Sequence, residues 1–320
     1  MFTGIMAVEK LLKTLLDVRP VEMQPGAANA LYRRYSRRLM QHLEHMAGGD
    51  LSSAAGLWQV LGGNLFGVSQ LFSEAAAEFA ALRGEAEKPT ILLVGEIYVR
   101  SVPFANDFVI EKLEERGCRM RLAPISEVLE YTDYFFLDRR GRPTWSQRFT
   151  VFVQALIRRR TQAIMRAALG WPPATSVKTS LAAAAPYIRE DLEGEAVVTV
   201  GTAIHEWRHG LIAAAVSVDP LECMPNKIAE AQLYHVAERE GLPSLTLSLN
   251  GDPINVAALD NFAFEVQARL QRNDRAQAAA VSGLAARGSA ACMLPSASVH
   301  DRGADSFGPA PEPSLAGCRR

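Results

Sequence analysis

The sequence predicts an α/β protein: a doubly wound, mainly parallel sheet with a helical N-terminal region and a helical insertion. Three observations point there. Apolar residues recur at helical spacing from Ile5 to about Leu82; short, nearly continuous apolar runs follow at "TILLVGE", "LIAAAVSV" and "SLTLSLN"; and helix-period stretches separate those runs. Strands apolar enough to be covered on both faces, alternating with helices, are the pattern of a parallel sheet.

In chain order, "VEKLLKTLL", "ALYRRYSRRLMQHLEHM" and "VSQLFSEAAAEFAAL" carry the helical period, with breaks at Pro20, Pro25 and Gly48-Gly49, so residues 1–88 read as a helical region. The basic cluster in "YRRYSRRLMQH" reads as a solvated helix face. After Pro89, "TILLVGE" is a buried strand, a helix is expected from about Pro103 to Gly117, and "RMRLAP" is a second strand, together a β-α-β unit. The first strand runs into "VGEIYVRSVPFAND", and in an open α/β sheet the ligand crevice lies beyond the carboxyl ends of the strands. Gly95, Glu96 and Asn106 are therefore candidate ligand-binding residues.

Helical periodicity returns over about 143–188 as an insertion in a domain spanning 89–272. Then come the strand "LIAAAVSV" (211–218), the loop "DPLECMP", the helix "NKIAEAQLYHVAEREG" closed by Gly241, the strand "SLTLSLN" and the helix "VAALDNFAFEVQARLQ". Residues 273–320, rich in Ala, Gly, Ser and Pro without a lasting apolar period, read as a disordered tail whose Cys292 and Cys318 are incidental thiols.

Composition removes several classes. At 320 residues, 48% hydrophobic and 22% charged, the chain has the make-up of a soluble globular protein. Its 34 basic and 35 acidic residues leave a net charge of -1, so no global field favours nucleic acid or an anionic membrane. The first twenty residues mix Glu, Lys and Asp into their apolar positions, which excludes a secretory signal or a membrane span there and implies a cytoplasmic location. Four cysteines, at 118, 223, 292 and 318, make neither a disulfide framework nor a C-x-x-C pair. Any metal centre must be assembled in three dimensions or between chains.

Two stretches bear on metals. "IHEWRHG" puts His205 and His209 one helical turn apart with Glu206 between them, the spacing of a zinc hydrolase. Gly210 ends that helix at once, and Glu222, Glu230 and Glu238 all lie at distances that would suit a third ligand. A histidine there is also explained by its favourable interaction with the last carbonyls and the helix dipole. Cys223 is the stronger candidate. It follows an apolar strand at the sheet's carboxyl edge and precedes Pro225 in the first turn of a helix, whose positive end favours a thiolate. The alternative is a small buried cysteine that closes the loop.

Five stretches resemble the 2-hydroxyacyl-CoA dehydratase and benzoyl-CoA reductase superfamily, most closely its activase-related proteins. They are "RPVEMQPGAANALY" (19–32), "ILLVGEIYVRSVPFANDFVIEKLEERG" (91–117), "PYIREDLEGEAVVTVGTAI" (186–204), "DPLECMPNKIAEA" (219–231) and "GDPINVAALDNFAFEV" (251–266). The resemblance implies a helix, not a strand, over "GEAVVTVGTAIHEWRHG". It also implies ATP-driven electron transfer to an acyl-CoA dehydratase or reductase holding a [4Fe-4S] cluster on cysteine loops like that of Cys223. Only this cysteine carries over, and Cys118 is expected at the opposite sheet edge. A four-iron cluster usually takes four thiolates, so the expected role is an accessory or truncated homologue. Its cluster would be shared between chains of a homo-oligomer, or with the activase ATPase or a dehydratase subunit. The alternatives are a cluster-free protein-interaction module docking through the helical first 82 residues and, third, the zinc hydrolase.

Overall fold

The computed structural model describes residues 2–47, 53–139, 143–192 and 194–272. The expected tail, with Cys292 and Cys318, lies outside the described residues. The N-terminal helices are α1 (Phe2–Val18), α2 (Ala27–Ala47), α3 (Ser53–Leu61) and α4 (Val68–Leu82). Then follow β1 (Thr90–Gly95), α5 (Ile97–Ser101), α6 (Val109–Glu115), β2 (Arg119–Leu122) and α7 (Ile125–Asp133), which runs into a π-helical turn. α8 (Trp145–Leu169), α9 (Val177–Ala184) and α10 (Ala196–Arg208) lead to β3 (Ala214–Pro220), α11 (Met224–Glu240) and β4 (Ser244–Leu249). A last helix, α12, covers 256–272.

The sheet has the order β2-β1-β3-β4, and all its pairings are parallel, with Ile91 opposite Met120 and Ala214, and Val216 opposite Leu245. Because side chains alternate along a strand, both faces of β1 must be covered. Leu92 and Val94 pack with α9, α10 and α11 through Leu181, Val200, Ile204 and Leu233. Ile91 and Leu93 pack with α6 and α12 through Leu113, Leu259 and Val266. Helices on both faces of a parallel sheet make this a doubly wound α/β fold.

The N-terminal helices share a core of their own, in which Met6 and Leu11 of α1, Tyr35 and Leu39 of α2 and Phe72 and Phe79 of α4 are buried. α8 belongs to this layer. Its Ile157, Met165 and Leu169 join the same core, so the first helix of the segment predicted as an insertion completes the N-terminal helical layer, while the second, α9, packs on the sheet. α8 starts on a Thr144–Gln147 capping box and stops at Gly170 in the left-handed region (φ 70°). On the basic face of α2, Arg34 pairs with Glu78 and Arg38 with Glu74, both partners on α4, while Arg33 and Arg37 are exposed.

α1 joins the two layers. Its Leu11 and Leu15 sit in the helical core, while Leu16 packs with β1 and β3. Just past its end Arg19 pairs with Glu114 of α6 at 2.7 Å, and the Glu9 carboxylate accepts from the Ser126 backbone N–H at 2.9 Å.

Two expectations shift and a third holds. The helix expected over 103–117 begins only at Val109, because Asp107 (φ 51°) and Phe108 (φ 56°) take left-handed backbone that a helix cannot accommodate. The strand expected over 211–218 is β3 at Ala214–Pro220, so Asp219 is a strand residue and not part of a loop. "GEAVVTVGTAIHEWRHG" is helical over Ala196–Arg208, as the resemblance implied. Among the described residues, no helix is long and apolar enough to cross a membrane.

Candidate functional site

The strand order reverses between β1 and β3, where a doubly wound sheet opens a crevice at its carboxyl ends. β1 ends at Gly95 with φ 109°, and a Cβ there would stand 2.1 Å from the Val218 carbonyl oxygen. Only glycine lets the two strands approach so closely at this conformation. The next residue, Glu96, donates its backbone N–H to Val218 at 3.0 Å and caps α5, accepting from Tyr98 N–H (3.1 Å) and Val99 N–H (2.8 Å).

Behind Gly95 lies Arg100, only 4% exposed, whose guanidinium donates to the Gly95 carbonyl at 2.9 Å. Burial pulls its pKa down, against the opposing attraction of Glu127, Glu195 and Glu96. Asn106 lies deeper still. Its amide donates to the carbonyls of Val99 (2.9 Å) and Arg100 (3.3 Å) and accepts from Val109 N–H (3.3 Å). The side chain thus braces the left-handed loop before α6, and its hydrogen bonds are spent there.

On the β3 side, Asp219 is fully buried. Lys227 stands 3.6 Å from its carboxylate and the Ser248 hydroxyl donates to it at 3.2 Å; burial still raises its pKa. The chain turns through Glu222 (φ 66°) to Cys223, the N-cap of α11, partly exposed and with no side-chain capping bond. The fold therefore brings Gly95, Glu96 and Cys223 to the same edge of two adjacent strands, with Asn106 as a brace. Tyr98, Phe104 (85% exposed), Leu221 and Met224 (74% exposed) stand on the same connections. Cys118 precedes β2, at the sheet's other end; it is fully buried, and burial pushes its thiol up to about 11.

Among the described residues, no group of three or more His, Cys, Asp or Glu side chains is arranged to hold a metal ion. This edge carries one thiol, which does not fit a four-iron cluster unless other chains supply the remaining ligands. His205 and Glu206 lie in the last turn of α10, and His209 is its C-cap, with Nδ1 2.7 Å from the His205 carbonyl. Glu206 is held by Arg121 at 3.0 Å, while Glu230 pairs with Lys227 at 3.0 Å. The histidine pair therefore has the geometry of a C-terminal cap.

A second feature went unread in the sequence: a cavity of about 1010 Å³ at the β2 edge, walled by α1, α7, α8, α10 and residues 172–175. Lys13, Glu127, Arg121 and Glu206 line it. Glu127 is buried and accepts from the Ser180 hydroxyl at 2.8 Å and from Thr202; burial pushes it up to about 7. No spacing rule links these residues, since each comes from a different element. Comparison of the chain with family models, curated proteins and solved structures finds no match in any of the three.

Proposed function

We propose that the chain is a cytoplasmic accessory subunit of an acyl-CoA dehydratase or reductase system, bringing Cys223 across a subunit interface to an iron–sulfur centre whose other ligands come from another chain. The observation that carries this reading is a partly exposed thiol at the N-cap of α11, on the switch-point edge of the sheet.

The neighbouring Tyr98, Phe104, Leu221 and Met224 support it, because exposed apolar side chains gathered on adjoining loops are the composition of an interface. Gly95 and Glu96 shape the opposite wall. The ordered resemblance of five stretches to the dehydratase superfamily supplies the chemical class, and the ATP-dependent step belongs to an activase partner. A lone thiolate speaks against independent cluster chemistry in a single chain.

The test is anaerobic purification of the full chain from the cells that make it, so that a partner chain copurifies, with Cys223→Ser alongside, reading iron, acid-labile sulfide and molecular mass. Iron and sulfide in a species larger than one chain, lost in the variant, are expected. Wild-type protein carrying no more iron than the variant would overturn the reading and leave a cluster-free docking module.

A further inference from the structure

We infer that the cavity at the β2 edge is a binding site for an apolar monocarboxylate, whose chain lies along the apolar walls and whose carboxylate meets the Lys13 ammonium. This goes beyond the reading of Cys223 and does not depend on it. Ile5, Val8, Leu43, Met46, Leu129 and Pro173 supply apolar wall, and a volume of about 1010 Å³ is at the upper end of small-molecule pockets.

The charges on the wall decide the sign of the ligand. Lys10 pairs with Glu9 at 3.0 Å, Arg121 with Glu206 at 3.0 Å, and Arg158 with Glu130. Lys13 is the cation left over. Its ammonium lies 4.5 Å from the centre of the Trp171 ring, and among the described residues no carboxylate stands within salt-bridge distance of it. Glu127, the one lining carboxylate without a cationic partner, already accepts from the hydroxyls of Ser180 and Thr202. An ammonium facing an apolar cavity without a counter-ion is costly, and an anion entering the cavity removes that cost.

The electrostatics agree. Burial, then Lys10 and Arg121, lower the Lys13 pKa to about 8, against the pull of Glu206 and Glu9. A bound carboxylate reverses part of that shift, so affinity is greatest below pH 8 and falls as the amine loses its proton. Glu127, ionising near pH 7 on the α7 wall, strengthens the fall, while Arg158 on α8 stays charged.

Calorimetric titration of the full chain with octanoate, 1-octanol and octylamine at pH 6.5 and pH 9 tests the site. At pH 6.5 octanoate should bind about tenfold more tightly than octanol, the scale of one charge-assisted contact, and octylamine more weakly than either. Lys13→Met should bring octanoate down to the octanol affinity while octanol binding stays unchanged, and Lys13→Arg should restore the preference for the acid. The octanoate preference should shrink at pH 9. Absence of octanoate binding, equal binding of acid and amine, or a preference that survives in Lys13→Met would overturn the inference. A cavity-filling Ile5→Trp variant should abolish binding of both octanoate and octanol, and octanoate binding that persists in it would place the ligand elsewhere.

Discussion

At the scale of single residues, Glu127 is where burial and chemistry meet most directly. Its carboxyl lies under α9 and α10 and is kept largely protonated by its surroundings, with a pKa of about 7 against an ordinary 4.5. The unfolded chain ionises it from about pH 4.5 upward, whereas the folded chain resists until about pH 7. The stability this group contributes is therefore complete below pH 4.5 and is lost as pH rises through 7. Glu127→Gln keeps a carbonyl oxygen to accept from Ser180 and Thr202 but cannot ionise. The free energy of urea unfolding of the variant should thus gain on wild type by about 2–3 kcal/mol between pH 4.5 and 7, then run parallel above it. A constant difference across that range would show that Glu127 titrates normally. Gly95 and Cys223 were readable because strand-end position has a local signature. Lys13 and Glu127 were not, because a charged residue inside an amphipathic pattern looks the same whether it faces water or a cavity.

At the scale of elements, local rules placed most helices and strands, and tertiary contacts moved the rest. The segment 103–117 has helix-forming composition throughout, yet its first half is a left-handed loop held by Asn106 against the end of α5. The amide bonds that make this loop reach back six and seven residues, a distance that helical periodicity does not test. The α9–α10 contact depends on another small residue. A Cβ on Gly201 would lie 2.1 Å from the Ser180 carbonyl, so the two helices pack backbone to backbone there. Gly201→Ala raises helix propensity by about 1 kcal/mol, but the overlap costs more than that. Net destabilisation of about 1–3 kcal/mol is expected in chemical denaturation. The same change pushes Ser180 off Glu127, linking this helix contact to the buried carboxyl. A stabilised variant would mean that the helices can separate freely.

At the scale of the whole molecule, the described residues form one compact unit, because α1 contributes to the helical core and to the sheet core at once. Trp171 is buried in the helical layer and Trp207 packs against the α10 side of the sheet, whereas Trp58 and Trp145 are exposed. With Trp58 and Trp145 replaced by Phe, chains retaining only Trp171 or only Trp207 should report the same urea midpoint by fluorescence. Two separated midpoints would mean that the helical layer unfolds as its own domain. The cavity belongs to this scale too. It exists because the helical layer and the sheet layer meet along β2 without filling the space between them, an outcome of packing that no single segment encodes.

The α/β class, the alternation of strands and helices, the glycine at the end of β1 and the cysteine before α11 were determined by the sequence itself, since hydrophobic period, caps and turn residues act over a few neighbours. Which layer α8 joins, where the backbone turns left-handed before α6, and which charges face one another across the cavity were decided only by the tertiary structure. Those choices depend on groups far apart in the chain: Lys13 and Trp171, Arg121 and Glu206, Glu127 and Thr202. Desolvation and close packing arise only once such partners are brought together, so the same residues carry no distinguishing signal while the chain is read as a string.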